Sequence, residues 1–122
     1  MAAYSFRDLD VWKLSMEMVE SVYALTGKLP ASENYVMVSQ IRRSAISVPS
    51  NIAEGSGRDS TKEYIQFINI SIGSLCELET QLLLIQRIYK MLDSECTELL
   101  KTISSIGRML HALNRSLRNK AA

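Results

Sequence analysis

Apolar residues recur along this chain in steps of three and four, the spacing that lines up one face of an α-helix. From Tyr64 onward, Ile68, Ser71, Leu75, Leu78, Leu82, Ile85, Tyr89 and Leu92 keep that rhythm, interrupted by a single serine. A stripe this regular predicts one long helix with a seven-residue repeat. Leu99, Ile103, Ile106, Leu110, Leu113 and Leu117 repeat the pattern toward the C-terminus. Leu9, Trp12, Met16, Val19 and Tyr23 do so near the N-terminus, and Val38, Ile41, Ala45, Val48 and Ile52 form a fourth stripe. Four helices are predicted, at about 8–27, 33–56, 60–91 and 94–118. Strand-like alternation, internal repeats and low-complexity segments do not compete with them.

The breaks between stripes carry stop and start signals. Gly27 to Pro30 ends the first helix, because glycine tolerates a left-handed terminus and the residue before a proline avoids the helical region. Gly55 and Gly57 end the second, and Ser60 to Glu63 (STKE) forms a capping box that starts the third. Asp93, Glu95 and Glu98 suit the positive end of the last helix dipole, and Arg108, Arg115, Arg118 and Lys120 lie toward its negative end. Connections this short predict antiparallel neighbours crossing at about 20°. The expected fold is a single all-α domain over residues 1–122, an antiparallel up-down-up-down four-helix bundle.

Some apolar positions exceed what one bundle seam needs. The first helix carries a second series, Val11, Leu14, Met18, Val22 and Leu25, and the third adds Ile65, Phe67, Ile72, Leu83, Leu84 and Ile88. Surplus apolar surface marks an interface, so self-association is expected; a wide core-facing stripe is the rival explanation.

Composition narrows the setting. At 122 residues, 47% hydrophobic and 22% charged, the chain is an ordinary globular domain with little room for a second one. Fourteen basic against thirteen acidic residues leave a net charge of +1, so any basic site must be local. The opening stretch MAAYSFRDLD has no apolar leader segment, and no apolar run approaches the roughly 20 residues of a membrane span. A cytoplasmic location without membrane contact is expected. Cys76 and Cys96 lack C-x-x-C spacing and are read as buried thiols rather than a disulfide.

One stretch departs from the helical texture: QIRRSAISVPSNIAEGSGRDS, Gln40 to Ser60. At about 100° per residue, Arg43, Ser47, Ser50, Asn51, Glu54 and Arg58 fall on one side and Ile41, Ala45, Val48 and Ile52 on the other. Pro49 removes one helical hydrogen bond and is expected to kink the helix. Small residues around it (Ser44, Ala45, Ser47, Ser50, Ala53) invite another backbone to approach, and Ser47 or Asn51 are placed to answer freed carbonyl groups. The pattern suits packing.

With FRDLDVW before it and GSLCELE after it, this stretch resembles the four-helix bundle family named after the protein encoded in 23S rRNA intervening sequences. The accessory variability determinant proteins of diversity-generating retroelements are structurally related to that family. The resemblance runs from Phe6 to about Leu113 and implies a ring-like homo-oligomer, a pentamer. It singles out Arg42, Arg43, Ser47, Pro49, Asn51, Glu54, Gly55 and Arg58, and Ser74, Glu77 and Glu79 farther on. Two departures are local: ENYVMVSQ lacks the glycine common after the tyrosine, and Leu29-Pro30 replaces the usual Phe-Pro.

The chemistry-bearing residues do not form a recognisable catalytic set. Glu54, Glu77 and Glu79 are carboxylates, but a di-metal bundle needs Glu-x-x-His, and the one histidine, His111, has no glutamate at that spacing. Phosphate loop, nucleophile elbow and Cys/His pairing are missing, since AEGSGR follows a helix rather than a strand. No enzyme, metal, cofactor or small-molecule substrate is expected. Arg43 or Arg58 pairing with Glu54, Glu77 or Glu79, across helices or subunits, is the structural expectation. A broken buried pair costs about 3–5 kcal/mol and a surface pair less than about 1.

A functional use for charge lies at the C-terminus. From Gly107 onward Arg108, Arg115, Arg118 and Lys120 face no acidic residue, with His111 among them, giving a local charge of +4. One such tail is an ordinary helix end, but a ring of five would concentrate about twenty charges, enough to attract phosphate backbones. Asn114 and Asn119 are expected to add hydrogen bonds; no interleaved aromatics point to base stacking. The expected partners are RNA or DNA, together with a reverse transcriptase if the retroelement likeness extends that far. An adaptor that touches only protein is the alternative.

Overall fold

The computed structural model describes residues 5–121, leaving Met1 to Tyr4 of the opening stretch and Ala122 outside the description. Four long helices form the bundle: α1 (Asp10–Thr26), α2 (Ser39–Ser56), α3 (Thr61–Ile88) and α4 (Asp93–Ala121). Short 3₁₀ turns occupy Phe6–Asp8, Ala31–Glu33 and Lys90–Leu92, and a π turn occupies Asn34–Val38. The described residues contain no strand.

The core follows the stripes on three helices. Val38, Ile41, Ala45, Val48 and Ile52 are buried beside α3's Ile68, Leu75, Leu78, Leu82 and Ile85, and α4 adds Leu99, Ile103, Ile106, Leu110 and Leu117. The contacts order the helices: Ser44 meets Glu77, Ser47 meets Ser74, and Gly55 faces Tyr64 and Phe67. Residue numbers therefore rise along α2 as they fall along α3. Asn69 reaches Asn114 and Gln86 reaches Thr97, so α3 and α4 show the same crossed numbering.

On α1 the core stripe is the other one. Met18 is 1% exposed, whereas Met16 is 43% exposed, and the buried set is Val11, Ser15, Met18, Val22, Leu25 and Thr26. The two series differ by one or two residues, too little for periodicity alone to separate them. Ser15 and Thr26 also disguise the true stripe. Their hydroxyls donate to the carbonyls of Val11 (2.7 Å) and Val22 (2.8 Å), which lets polar residues be buried inside a helix without an unpaired group. The displaced series lines an outer groove with α2, where Trp12, Met16 and Val19 face Ile46, Pro49 and Ala53.

Several helix ends differ from expectation. Gly27 is right-handed (φ −63°), and no described glycine has positive φ. The chain leaves α1 instead through tight turns, with Lys28 N–H donating to Leu25 O (3.0 Å) and Leu29 N–H to Thr26 O (3.1 Å). Helix α2 begins at Ser39 rather than near residue 33, after consecutive 3₁₀ and π turns. Tyr89 pins that turn by donating to the Glu33 carboxylate at 2.6 Å, a bond that also pushes the Tyr89 phenol pKa up. Ser60 caps α3 by accepting from Glu63 N–H (3.1 Å), and the serine hydroxyl in turn donates to the Glu63 carboxylate (3.2 Å). At the start of α4, the Lys28 ammonium lies 3.0 Å from the Glu95 carboxylate and holds its pKa below the usual range.

Helix α3 is long and apolar enough, by length and composition alone, to cross a membrane, which corrects the expected lack of such a run. Core helices pass the same test, and in this bundle seven of its residues, including Ser71 and Gln81, are buried against neighbouring helices. Among the cysteines, Cys96 is buried and Cys76 exposed, so the expectation of two buried thiols holds for only one. Cys76 follows the core residue Leu75 and is rotated about 100° toward solvent. Burial pushes the Cys96 thiol pKa up, with Glu95 and Asp93 adding to the effect.

Two measurements test this packing. Gly55→Ala would place its Cβ 2.8 Å from Phe67 Cβ and 3.0 Å from Tyr64, whereas a Cβ at Gly73 meets nothing within 4 Å. Urea denaturation should show the first change destabilising by about 1–3 kcal/mol and Gly73→Ala stabilising by up to about 1 kcal/mol. In a thiol titration at neutral pH, Cys76 should react in the folded protein and Cys96 only after unfolding. Two equally fast thiols would contradict the burial of Cys96.

Candidate functional site

The central motif turns inward on α3. Ser44 Oγ donates to Gln40 O (3.0 Å) and Glu77 Oε1 (3.1 Å), and the Ser47 and Ser74 hydroxyls lie 2.8 Å apart. Asn51 Nδ2 donates to Ser47 O (2.8 Å) and Ser47 Oγ (2.9 Å), and Ser71 Oγ crosses from α3 to Val48 O (2.9 Å). Side-chain donors thus converge on the carbonyls of the two residues before Pro49. The proline itself is buried, and α2 continues through it as one helix. Small side chains allow this approach; a larger group at Gly55 would collide with α3.

The motif arginines have different surroundings. Arg42 Nε donates to Thr26 Oγ1 (2.9 Å), with its guanidinium 4.1 Å from the centre of the Tyr23 ring. Arg58, just past the end of α2, pairs with Glu54 at 2.7 Å and stacks over Phe67 at 4.7 Å. The anticipated cross-helix arginine–glutamate pair does not form among the described residues: Glu54 takes Arg58 from the turn that follows its own helix, and Glu77 takes Ser44. Arg43 is exposed and makes no ion pair or hydrogen bond among the described residues; Glu79 is likewise exposed and unpaired. The Glu54–Arg58 pair is solvent-exposed on both sides, a geometry worth less than about 1 kcal/mol.

On α4, Arg108, His111, Arg115 and Arg118 share an outward flank spanning about 80°, and Lys120 points to the opposite side. All five are exposed. Arg108 donates to Ser104 Oγ (2.8 Å) and Ser105 Oγ (3.2 Å), which holds its guanidinium along the helix. Arg118 Nε donates to Asn114 Oδ1, and Asn114 Nδ2 to Asn69 Oδ1 (2.7 Å). Asn114, only 6% exposed, is therefore a buried link between α3 and Arg118 rather than a free contact. Its place four residues after Leu110 and three before Leu117 was the available signal.

One further feature was not legible in the sequence. A groove between α1 and α4 is lined by Ser21, Leu25, Lys28, Glu95, Glu98 and Thr102. Among the described residues no three His, Cys, Asp or Glu side chains gather closely enough to hold a metal ion. The seam's hydroxyls and amides engage one another, which is chemistry for packing, and the α4 flank offers cations to an anionic surface.

The family model described as 23S rRNA-intervening sequence protein matches residues 7–112. A 1.70 Å crystal structure from Bacteroides thetaiotaomicron VPI-5482, a protein of unknown function from the S23 ribosomal protein family, aligns with a TM-score of 0.79. It is 24% identical, and the alignment covers 86% of this chain and 95% of that one, a likeness that speaks to the fold. No curated protein matches the chain.

The seam predicts unequal costs for two polar deletions. Ser71→Ala removes the donor to Val48 O from a buried position and should cost about 1–3 kcal/mol in urea denaturation. Glu54→Ala removes only the exposed pair and should cost less than about 1 kcal/mol. Equal costs would show that the Ser71 bond is not what holds the two helices at this distance.

Proposed function

The chain belongs to the 23S rRNA-intervening sequence protein family, and on that premise we propose a non-enzymatic accessory or scaffold protein that associates with nucleic acid or a ribonucleoprotein. In this reading antiparallel bundles assemble in the cytoplasm as a ring-like homo-oligomer, with five copies as the family likeness implies. The observation that carries the nucleic-acid reading is the α4 flank, where Arg108, His111, Arg115 and Arg118 are exposed together beyond the last acidic residue, Glu98. Repetition around a ring would multiply a modest local charge into a surface able to displace counterions from phosphates. Contacts of this kind position a backbone and carry little sequence information, so selectivity would come from a partner such as a reverse transcriptase.

A protein-only adaptor draws on a different observation. Tyr35, Ile88 and Met91 are exposed near the turns that precede α2 and α4, away from the basic flank. The two readings separate in one experiment: binding of the oligomer to structured RNA and duplex DNA across a salt series. The Arg108→Glu, Arg115→Glu, Arg118→Glu triple variant should flatten the salt slope by about 3 per bound chain, at unchanged oligomer mass. Lys120→Glu, off the flank, should leave the slope nearly unchanged. Absence of binding at low salt would favour the adaptor.

A further inference from the structure

Two rows of exposed residues run along the outer side of the α2–α3 seam at seven-residue spacing. Val36 and Arg43 form one, continued by Ser50 at the edge of the α1–α2 groove, and Ile70, Glu77 and Leu84 form the other. Val36, Ile70 and Leu84 are 52%, 49% and 43% exposed, unusual for large apolar side chains in mid-chain helical positions. Arg43 has no ion pair among the described residues, and Glu77 accepts only the Ser44 hydroxyl, leaving carboxylate lone pairs free.

The seam fixes the relative heights of these rows. Ser44 meets Glu77, Ser47 meets Ser74, and Ser71 meets Val48 O. In that register Arg43 stands level with Glu77, Val36 with Leu84, and Ser50 with Ile70. Rotation about an axis parallel to the helices leaves heights unchanged. An assembly that turns this face toward a neighbour on such an axis sets the α2 row of one copy against the α3 row of the next with cation opposite anion, apolar opposite apolar, and small serine opposite isoleucine. Gly73, between Ile70 and Glu77, has no neighbour within 4 Å of a built Cβ and leaves room for an approaching backbone.

We propose that this face is the contact between copies of the chain, with Arg43 of one copy paired to Glu77 of the partner subunit. It rests on the assembly reading above and names the surface that reading leaves open. The charge complementarity of the two rows, in a register the seam already fixes, selects a second copy as the occupant.

The test is solution mass by sedimentation for wild type, Arg43→Glu, Glu77→Arg and the doubly exchanged chain. Each single exchange puts like charges opposite each other and should raise the dissociation concentration by about a hundredfold. The double exchange should restore assembly. Gly73→Trp should lower the mass while leaving the helical content of the separated chains unchanged, because the isolated bundle has space there. Single variants of wild-type mass, or a double variant that stays dissociated, would overturn the contact while leaving assembly through another face intact. A monomeric wild type would overturn both.

Discussion

The close approach of α2 to α3 is the constraint on which the rest of the molecule depends. A helix bundle can bury apolar stripes at ordinary spacing with large side chains, but this pair comes nearer, and only small residues permit it. Gly55 lies where a Cβ would strike Phe67, and serines replace aliphatic residues along the contact. Proximity creates a second requirement, because hydroxyls carried into the seam must find partners. They find one another and the carbonyls before Pro49. The motif is thus a coupled solution to sterics and hydrogen bonding, which explains why its small residues, proline and glycine occur together.

Legibility in the sequence followed how uniformly a surface was apolar. The α2, α3 and α4 stripes could be read directly because most core positions are aliphatic, and Ser71, the polar residue within the α3 stripe, is the one that crosses to α2. The α1 stripe could not, since Ser15 and Thr26 bury their hydroxyls on local carbonyls and a neighbouring series looks equally regular. Asn114 posed the same problem in α4. The start of α2 was misplaced because a π turn has no periodic signature, and Tyr89, 56 residues away in sequence, helps hold it. Long-range partners of polar residues are what periodicity leaves out.

The family likeness marked the motif residues but could not assign their roles within this chain. Arg43 and Arg58 were the expected candidates for reaching across helices to carboxylates. Instead Arg43 stays exposed and unpaired among the described residues, while Arg58 lies over Phe67 and takes its carboxylate from Glu54, four residues earlier, as Arg42 lies over Tyr23. Guanidinium groups can satisfy their charge on aromatic faces, an option invisible when only acidic partners are counted.

That accounting also gives meaning to the leftover charge. Two of the three arginines in the motif are engaged by their own chain, while Arg43 is left to solvent beside the serine and asparagine bonds of the seam. A solvated arginine is unexceptional alone. Here it is level with Glu77, an apolar pair lies one repeat away, and an open glycine lies alongside. The same bonds that hold α2 against α3 thereby set the register of the surface outside them. Internal packing and external recognition are linked by geometry, so a change that shifts the seam by one helical turn would disrupt both at once.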